Sequence, residues 1–159
     1  MSQIIVDIAD ARVSKREDDV LVTYSLGSCV GVMVYDPEIR LGGMIHCMLP
    51  LSSVDPRKAE EKPFMFVDTG MMKFLKKLFD MGLSRSRAVV KVAGCSKILD
   101  NSNLFRIGER NYTVLRKLLW KNGLMIKAEN VGGSVSRTVR LEIATGRCIL
   151  RSGGVESEL

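Results

Sequence analysis

Two side chains in this sequence have the types and the spacing for nucleophilic catalysis. They are Cys29, which directly follows a Gly-Ser turn, and His46, the only histidine of the chain. A thiol with an ordinary pKa of about 8.5 is mostly protonated at neutral pH, and a neighbouring imidazole can accept its proton or lower its pKa. The thiolate attacks a carbonyl carbon, and the protonated ring then protonates the leaving nitrogen. A thiol and an imidazole that meet would therefore permit acyl-transfer chemistry such as amide hydrolysis.

The residues between these two side chains predict a β-hairpin that brings them together. Apolar runs at 29–35 and 41–48 flank an Asp-Pro-Glu-Ile turn at 36–39, whose Asp and Pro suit the first two positions of a type I turn. If the first and last turn residues pair, the antiparallel register sets Cys29 directly opposite His46, with Cβ atoms about 4.5–5.5 Å apart. A slip of one residue would place the two side chains on opposite faces. The predicted contact therefore depends on the register.

A catalytic imidazole also needs a partner for its other ring nitrogen. Thr23 and Ser25 lie on the strand before the Gly-Ser turn, and the sequence leaves both hydroxyls as candidates. The backbone N–H groups of Gly27, Ser28 and the cysteine that follows are candidates for an oxyanion hole. The alternative interpretation is that the thiol and the imidazole are ordinary buried side chains, which residue types alone do not exclude.

Length and composition predict one soluble, cytoplasmic domain. A chain of 159 residues with 46% hydrophobic and 26% charged residues is typical of a globular protein with its own core. No apolar run approaches the roughly 20 residues that cross a bilayer, and Asp7 and Asp10 interrupt the stretch where a signal peptide needs an apolar core. The four cysteines form no CxxC pair and only one histidine is present, so we expect neither a metal nor a cofactor.

The basic charge favours an acidic protein partner over nucleic acid. The formal net charge is +6 with a pI of about 9.3, but the positive residues are spread over several segments. The few aromatic residues are poorly placed for base stacking, so we expect no nucleic-acid binding. A solvated basic surface without a partner is the alternative.

The whole chain predicts a single layered α+β domain, with a mostly antiparallel or mixed sheet and two main helices. One helix is expected to begin near Pro63 and end at Gly82, and the other to run from Glu109 to Asn122. Residues 51–62 and the turn-rich segment 98–107, around Asn101, Ser102 and Asn103, are expected to be loops. The predicted strands are 3–8, 11–13, 20–24, 29–35, 41–48, 87–92, 124–131, 138–143 and 147–150. The domain is predicted to span 1–151, with 152–159 as a disordered tail.

The segment from Thr23 to Pro50 resembles the signature of the CheD family of bacterial chemotaxis proteins, the chemoreceptor glutamine deamidases. The family pattern resembles T-x-x-L-G-S-C followed by G-G-M-x-H-x-x-L-P. The matching residues here are Thr23, Leu26, Gly27, Ser28, Cys29, Gly42, Gly43, Met44, His46, Leu49 and Pro50. Later matches are Ile107, Gly108, Asn111, Gly132, Gly133, Arg137, Thr145 and Gly146.

The resemblance implies an α/β sandwich with Cys29 as the nucleophile, His46 as the general base and acid, and Thr23 as the orienting hydroxyl. It implies that the substrates are glutamine side chains on the cytoplasmic helices of methyl-accepting chemoreceptors, converted to glutamate through a Cys thioester with release of ammonia. A CheC-type phosphatase is an implied partner. The alternative within the family is a weakly catalytic or non-catalytic adaptor that binds receptors or the phosphatase. One departure, Ala93-Gly94-Cys95 in place of a Gly-Gly pair and a small residue, predicts a different wall of the site.

Overall fold

Two five-stranded sheets pack face to face, and helices cover the outer face of the second sheet. The structure is a computed structural model that describes residues 2–97 and 106–159, so the predicted turn around Asn101, Ser102 and Asn103 lies outside the described residues. The strands are β1 Ser2–Ile5, β2 Asp10–Ser14, β3 Asp19–Leu26, β4 Val30–Asp36, β5 Leu41–Cys47, β6 Val89–Gly94, β7 Ile126–Val131, β8 Arg137–Glu142, β9 Cys148–Ser152 and β10 Val155–Glu158. The helices are α1 Pro56–Glu61, α2 Val67–Asp80 and α3 Ile107–Lys121, with 3-10 turns at Ser52–Val54 and Pro63–Met65.

Both sheets are mixed, as the sequence predicts, although the sequence does not indicate that there are two of them. The first has the order β1-β3-β8-β9-β10 and the second β2-β5-β4-β6-β7. The β1–β3 and β6–β7 pairs are parallel and the other pairs are antiparallel. No helix within the described ranges has both the length and the apolar character needed to cross a bilayer.

The hairpin β4–β5 lies in the middle layer and is buried on both faces. One face contributes residues such as Val32 and Ile45 to the core beneath α2 and α3. The other face contributes Met33 and Met44 to the core between the two sheets. Strands buried on both sides are nearly continuous apolar runs, which explains why the two strands of this hairpin are predictable from the sequence.

The predicted register of this hairpin is wrong by two residues. Asp36 pairs with Leu41 rather than with Ile39, so His46 lies opposite Gly31 and not opposite Cys29. The turn is longer than predicted because Arg40, at φ +49°, takes a left-handed conformation before β5 begins. An even shift keeps the side chains of β4 and β5 on the predicted faces, but Cys29 directly precedes β4 and takes no part in the ladder.

Three other expectations are corrected by the structure. The helix predicted from Pro63 begins at Val67, after a 3-10 turn, and the predicted loop 51–62 contains α1. The tail predicted to be disordered forms β10, which pairs with β9 and extends the first sheet. Arg147 Nε donates to Glu158 at 2.6 Å and ties this edge strand to the sheet. The strand has few apolar residues, so the sequence pattern does not predict it.

Candidate active site

A hydroxyl on one sheet and an imidazole on the other meet at the interface between the sheets. Thr23 lies on β3 and His46 on β5, and both side chains are buried, with exposed fractions of 0% and 1%. Their Oγ1 and Nδ1 atoms lie 2.7 Å apart. The backbone of His46 is held on both sides, by Asp10 of β2 and Gly31 of β4, so the position of the ring is fixed by the ladder.

The hydrogen bonds of Thr23 determine which ring nitrogen carries the proton. Its Oγ1 donates to the carbonyl oxygen of Val6 at 2.7 Å, and a hydroxyl has only one proton to donate. In the contact with His46, Nδ1–H must therefore be the donor and Oγ1 the acceptor. The neutral ring then carries its free lone pair on Nε2, which is the atom a general base needs.

His46 is held in its neutral form. Burial lowers the pKa of the ring to about 4, and the nearby charge of Asp7 opposes this effect only in part. Within the described chain, Nε2 is buried and has no hydrogen-bond partner. An unpaired buried nitrogen costs about 1–3 kcal/mol, so a ring placed for stability alone would be expected to have both nitrogens bonded.

The Cys29 thiol is also neutral at rest. Burial raises its pKa, and a hydrogen bond from its own backbone N–H offsets part of this effect. Since Nε2 of His46 has no partner, ring and thiol are not hydrogen-bonded in this structure. The resting pair is thus a neutral thiol beside a neutral base and not the thiolate–imidazolium pair that lowers a cysteine pKa in other enzymes. Of the four cysteines only Cys29 is half-exposed; the other three are buried.

The loop before Cys29 is fixed through its carbonyl groups. The Gly27 oxygen accepts from the Ser96 N–H at 2.9 Å, and the Cys29 oxygen accepts from the Cys95 N–H at 2.8 Å. The Ser28 oxygen accepts from the side-chain amide of Asn111 at 3.0 Å. The loop N–H groups donate to no backbone carbonyl of the described residues. Bound carbonyls beside N–H groups that no backbone carbonyl accepts are the arrangement from which an oxyanion hole is built.

The wall formed by Ala93, Gly94 and Cys95 approaches this loop closely. A Cβ atom on Gly94, which has φ +108°, would lie 2.4 Å from the Cys29 carbonyl oxygen, so only glycine fits there. Cys95 is left-handed at φ +56° and is buried. Ala93, where the chain departs from the family pattern, packs instead into the core between the sheets. Ala93 therefore lies in the packing beneath this wall, while the hydrogen bonds to the Cys29 loop come from the backbone N–H groups of Cys95 and Ser96.

A buried arginine supports the same wall. Arg137 Nη1 donates to the Gly94 carbonyl at 3.2 Å and to Ser96 Oγ at 2.7 Å. Its Nη2 donates to the Gly132 carbonyl at 2.9 Å, and Nε donates to Asn130 at 2.7 Å. Because Ser96 binds Gly27 through its N–H, the arginine holds the Cys29 loop through one intermediate residue.

Of the two hydroxyls that the sequence offers as partners of the ring, only that of Thr23 contacts it. Thr23 reaches the ring, whereas Ser25 is exposed and bonds through its backbone N–H to Thr138. The ladder between β3 and β8 is irregular between Thr23 and Leu26, and Ser25 takes φ +55°. This bulge turns Ser25 away from the face that strict alternation would give it.

Sequence reasoning missed the roles of Val6 and Asn111. Val6 accepts the Thr23 proton with its backbone carbonyl, a contact that no side-chain pattern reveals. Asn111 is buried on α3, and its amide nitrogen reaches both the Ser28 and the Met48 carbonyl oxygens. A polar residue on the buried stripe that also contains Leu115 and Leu119 was the available signal.

Comparisons with known proteins identify a family. The model of the family described as CheD chemotactic sensory transduction matches residues 48–152. The chain is 48% identical over 159 residues to the probable chemoreceptor glutamine deamidase CheD of Solibacter usitatus, covering 100% of this chain and 94% of that one. It is 47% identical over 154 residues to the probable chemoreceptor glutamine deamidase CheD 1 of Syntrophus aciditrophicus, covering 97% and 96%. The solved structure of the hypothetical protein YfiH of Bacillus licheniformis aligns with a TM-score of 0.44 and 16% identity, over 79% of this chain and 50% of that one.

Proposed function

This chain belongs to the CheD family, and on that premise we propose that it is a chemoreceptor glutamine deamidase with Cys29 as its nucleophile. The reaction converts selected glutamine side chains of methyl-accepting chemoreceptors to glutamate and releases ammonia. The observation that carries the assignment of the base is the bond between Thr23 and His46, which leaves Nε2 of the only histidine without a hydrogen-bond partner in the described chain.

The reaction we propose begins when a substrate carboxamide displaces water from the site and the Cys29 thiol approaches His46. Nε2 accepts the thiol proton as the sulfur attacks the amide carbon, giving a tetrahedral intermediate. The imidazolium then donates its proton to the amide nitrogen, ammonia leaves, and a thioester remains. Water, deprotonated by the same nitrogen, hydrolyses the thioester to the glutamate carboxylate and restores the thiol. Thr23 keeps the proton on Nδ1 in every step.

The negative charge of the intermediate needs donors, and the turn before the nucleophile supplies them in this proposal. The N–H groups of the Gly27–Ser28–Cys29 loop are the candidates, since the loop carbonyls are already bonded to Ser96, Asn111 and Cys95. Removing one donor of an oxyanion hole typically slows catalysis by about 10²–10³-fold. Backbone N–H groups that are already held in place stabilise this charge without any rearrangement of the loop.

The partners that follow from this function are the cytoplasmic helices of chemoreceptors, and we place the protein in the cytoplasm with them. A CheC-type phosphatase is a second proposed partner. The formal net charge of +6 suits helices with many acidic side chains. An adaptor without catalysis would use the same surfaces but would leave the receptor mass unchanged.

Intact mass spectrometry of a receptor cytoplasmic fragment tests the proposal. The wild-type chain should add about one dalton for each glutamine converted, and Cys29→Ala should add none while still folding. Cys148→Ala is the matched control, because this buried cysteine lies on β9, in the first sheet, and should leave the activity per folded molecule unchanged.

Two results would overturn the proposal. Continued conversion by Cys29→Ala would exclude Cys29 as the nucleophile. Binding of the fragment by wild type without any mass change would favour the adaptor. Thermal melts of the wild-type chain and of both variants check that each protein is folded.

A further inference from the structure

We propose that Asn111 is a positioning residue that sets the approach of the Cys29 thiol to the His46 ring. The inference rests on the proposed function, because it concerns the same site. It assigns a role to a side chain on α3, outside the two strands and the loop that carry the reacting groups. Asn111 acts through backbone atoms and does not touch the reacting atoms.

The carboxamide of Asn111 joins the two catalytic segments directly. Its Nδ2 atom donates to the carbonyl oxygen of Ser28 and to that of Met48, each at 3.0 Å. Ser28 directly precedes Cys29, and Met48 is two residues beyond His46. An amide nitrogen has two protons, so both are used and the orientation of the side chain is fixed by the two carbonyls.

The cost of keeping an asparagine at this position indicates that it does more than fill space. The side chain is fully buried, yet its Oδ1 atom has no hydrogen-bond partner within the described chain. Asparagine is also a poorer helix former than the leucines at 115 and 119 on the same buried stripe. What it gains is one bond to each catalytic segment.

We call the two bonds from Asn111 to the Ser28 and Met48 carbonyls the clamp. The helix that carries Asn111 packs closely on the wall formed by residues 93–95. A Cβ atom on Gly108 would lie 2.7 Å from the Cys95 carbonyl carbon, so the first turn of α3 packs directly on that backbone. Cys95 in turn donates its N–H to the Cys29 carbonyl at 2.8 Å. The Cys29 loop is therefore bonded both to Asn111 and to Cys95, and α3 contacts both, since it carries Asn111 and packs on Cys95.

Small displacements matter here because the resting thiol and ring are not yet hydrogen-bonded. Reacting groups must come within about 3–3.5 Å in a suitable orientation, and an error of about 1 Å can reduce a rate by roughly 10²-fold. Releasing the clamp frees the Ser28 and Met48 segments to move relative to each other. We therefore expect Asn111→Ala to lower kcat by about 10- to 100-fold and to change KM by less than about twofold.

The decisive test is a double-mutant cycle on the alkylation of Cys29 by iodoacetamide at pH 7, read by intact mass. His46→Gln should slow this alkylation by about tenfold in the wild-type background, because the base is lost. In the Asn111→Ala background the same substitution should change the rate by less than about twofold, because the displaced thiol approaches the base too rarely for the base to affect the rate. Coupling of this kind is what a double-mutant cycle isolates.

The matched control is Asn122→Ala, at the residue directly after α3, which removes a side-chain amide bond from Nδ2 to the Leu118 carbonyl at 2.8 Å. It should leave the alkylation rate, kcat and the effect of His46→Gln unchanged. If His46→Gln slows alkylation equally with and without Asn111, the proposed role is wrong and Asn111 only stabilises the fold. If the wild-type chain deamidates no receptor fragment, the proposed function fails, yet the alkylation cycle still reports on the clamp.

Two further measurements guard against a variant that does not fold. Asn111→Leu keeps a similar shape in the buried stripe and should show the same loss of coupling. In the wild-type chain, NMR should find both carboxamide protons of Asn111 protected from solvent exchange and shifted when Cys29 is alkylated. Exchange at the rate of a free amide would overturn the proposal without any substitution.

Discussion

The two ends of the hairpin β4–β5 handle buried polar groups in opposite ways. At the turn end, Asp36 is fully buried, and both of its oxygens are bonded. Arg87 donates to them from Nε and Nη2, each at 2.9 Å, and the N–H groups of Ser84 and Glu38 add bonds at 3.2 and 3.1 Å. Burial alone would raise the pKa of Asp36, but these bonds outweigh it and hold the pKa below its ordinary value.

At the open end, the buried ring of His46 is bonded on one side only. Thr23 holds Nδ1, and Nε2 has no hydrogen-bond partner among the described residues. The comparison sets a buried carboxylate with both oxygens bonded beside a buried ring with one nitrogen unbonded, the nitrogen that we propose transfers the proton. The bonds to Asp36 stabilise the turn, whereas the unpaired Nε2 of His46 is the atom that the proposed reaction uses.

The largest effect is expected at the open end. His46→Gln should reduce kcat for receptor deamidation by about 10³-fold or more, because the base and the acid of the proposed reaction are the same nitrogen. The melting temperature should change little, since the substitution also removes an unpaired buried atom. Steady-state kinetics and a thermal melt check both statements. An active His46→Gln chain would remove the contrast between the two ends.

The corresponding change at the turn end should affect stability and not rate. Asp36→Asn removes the charge that Arg87 and two backbone N–H groups bind, and we expect a loss of about 3 kcal/mol in the free energy of unfolding. Denaturant titration measures this loss. The kcat per folded molecule should stay within about twofold of wild type, and a large fall in kcat would mean that the two ends are not independent.

Acid should destabilise the two ends in different pH ranges. The pKa of His46 is lowered to about 4 by burial, so its unfolded form binds a proton first and stability falls as pH drops from about 6.5 through 4. The whole change corresponds to roughly 3 kcal/mol. For Asp36, whose pKa is also lowered, stability is present above about 3.9 and is lost as pH falls through the lower folded value.

Urea titrations at several pH values separate these two contributions. His46→Gln should remove the slope between pH 6.5 and 4 and leave the loss at lower pH. If the slope between pH 6.5 and 4 persists without the ring, another group is responsible and the neutral state assigned to His46 is wrong.

The smallest effect concerns the orienting hydroxyl. Thr23→Val keeps the shape but removes the acceptor of the Nδ1 proton, and one neutral hydrogen bond is worth about 1 kcal/mol, or roughly tenfold at most in kcat. Thr23→Ser keeps the hydroxyl and should recover most of the rate. Equal rates for the Val and Ser variants would show that Nδ1 needs no partner.

The strands of the hairpin and the candidate site residues could be picked out from the sequence because their signals are local. The runs at 29–35 and 41–48 are apolar on both faces, and the Gly-Ser turn and the single histidine stand out by residue type. The register was not predictable, because it depends on the left-handed Arg40 and on the bonds between Asp36 and Arg87, 51 residues apart. An even error preserved the faces of β4 and β5, so His46 still points to the face that the sequence predicts, and its pairing with Cys29 stays a prediction.

Other features depend on contacts that no local pattern encodes. The choice of Thr23 over Ser25 depends on a bulge opposite β8, and alternation alone would have placed both hydroxyls on one face. Asn111 matters because of two carbonyl groups that are distant in sequence. The tail at 152–159 becomes a strand only because β9 offers an open edge.

A single histidine makes the state of the proposed base directly measurable. A pH titration of ¹⁵N-labelled His46 by NMR contains one imidazole signal set and needs no assignment by mutation. The predicted result is a neutral ring at pH 7 with its proton on Nδ1, free Nε2 and a pKa of about 4. A proton on Nε2, or a pKa near the ordinary 6.5, would contradict the account of how this site works.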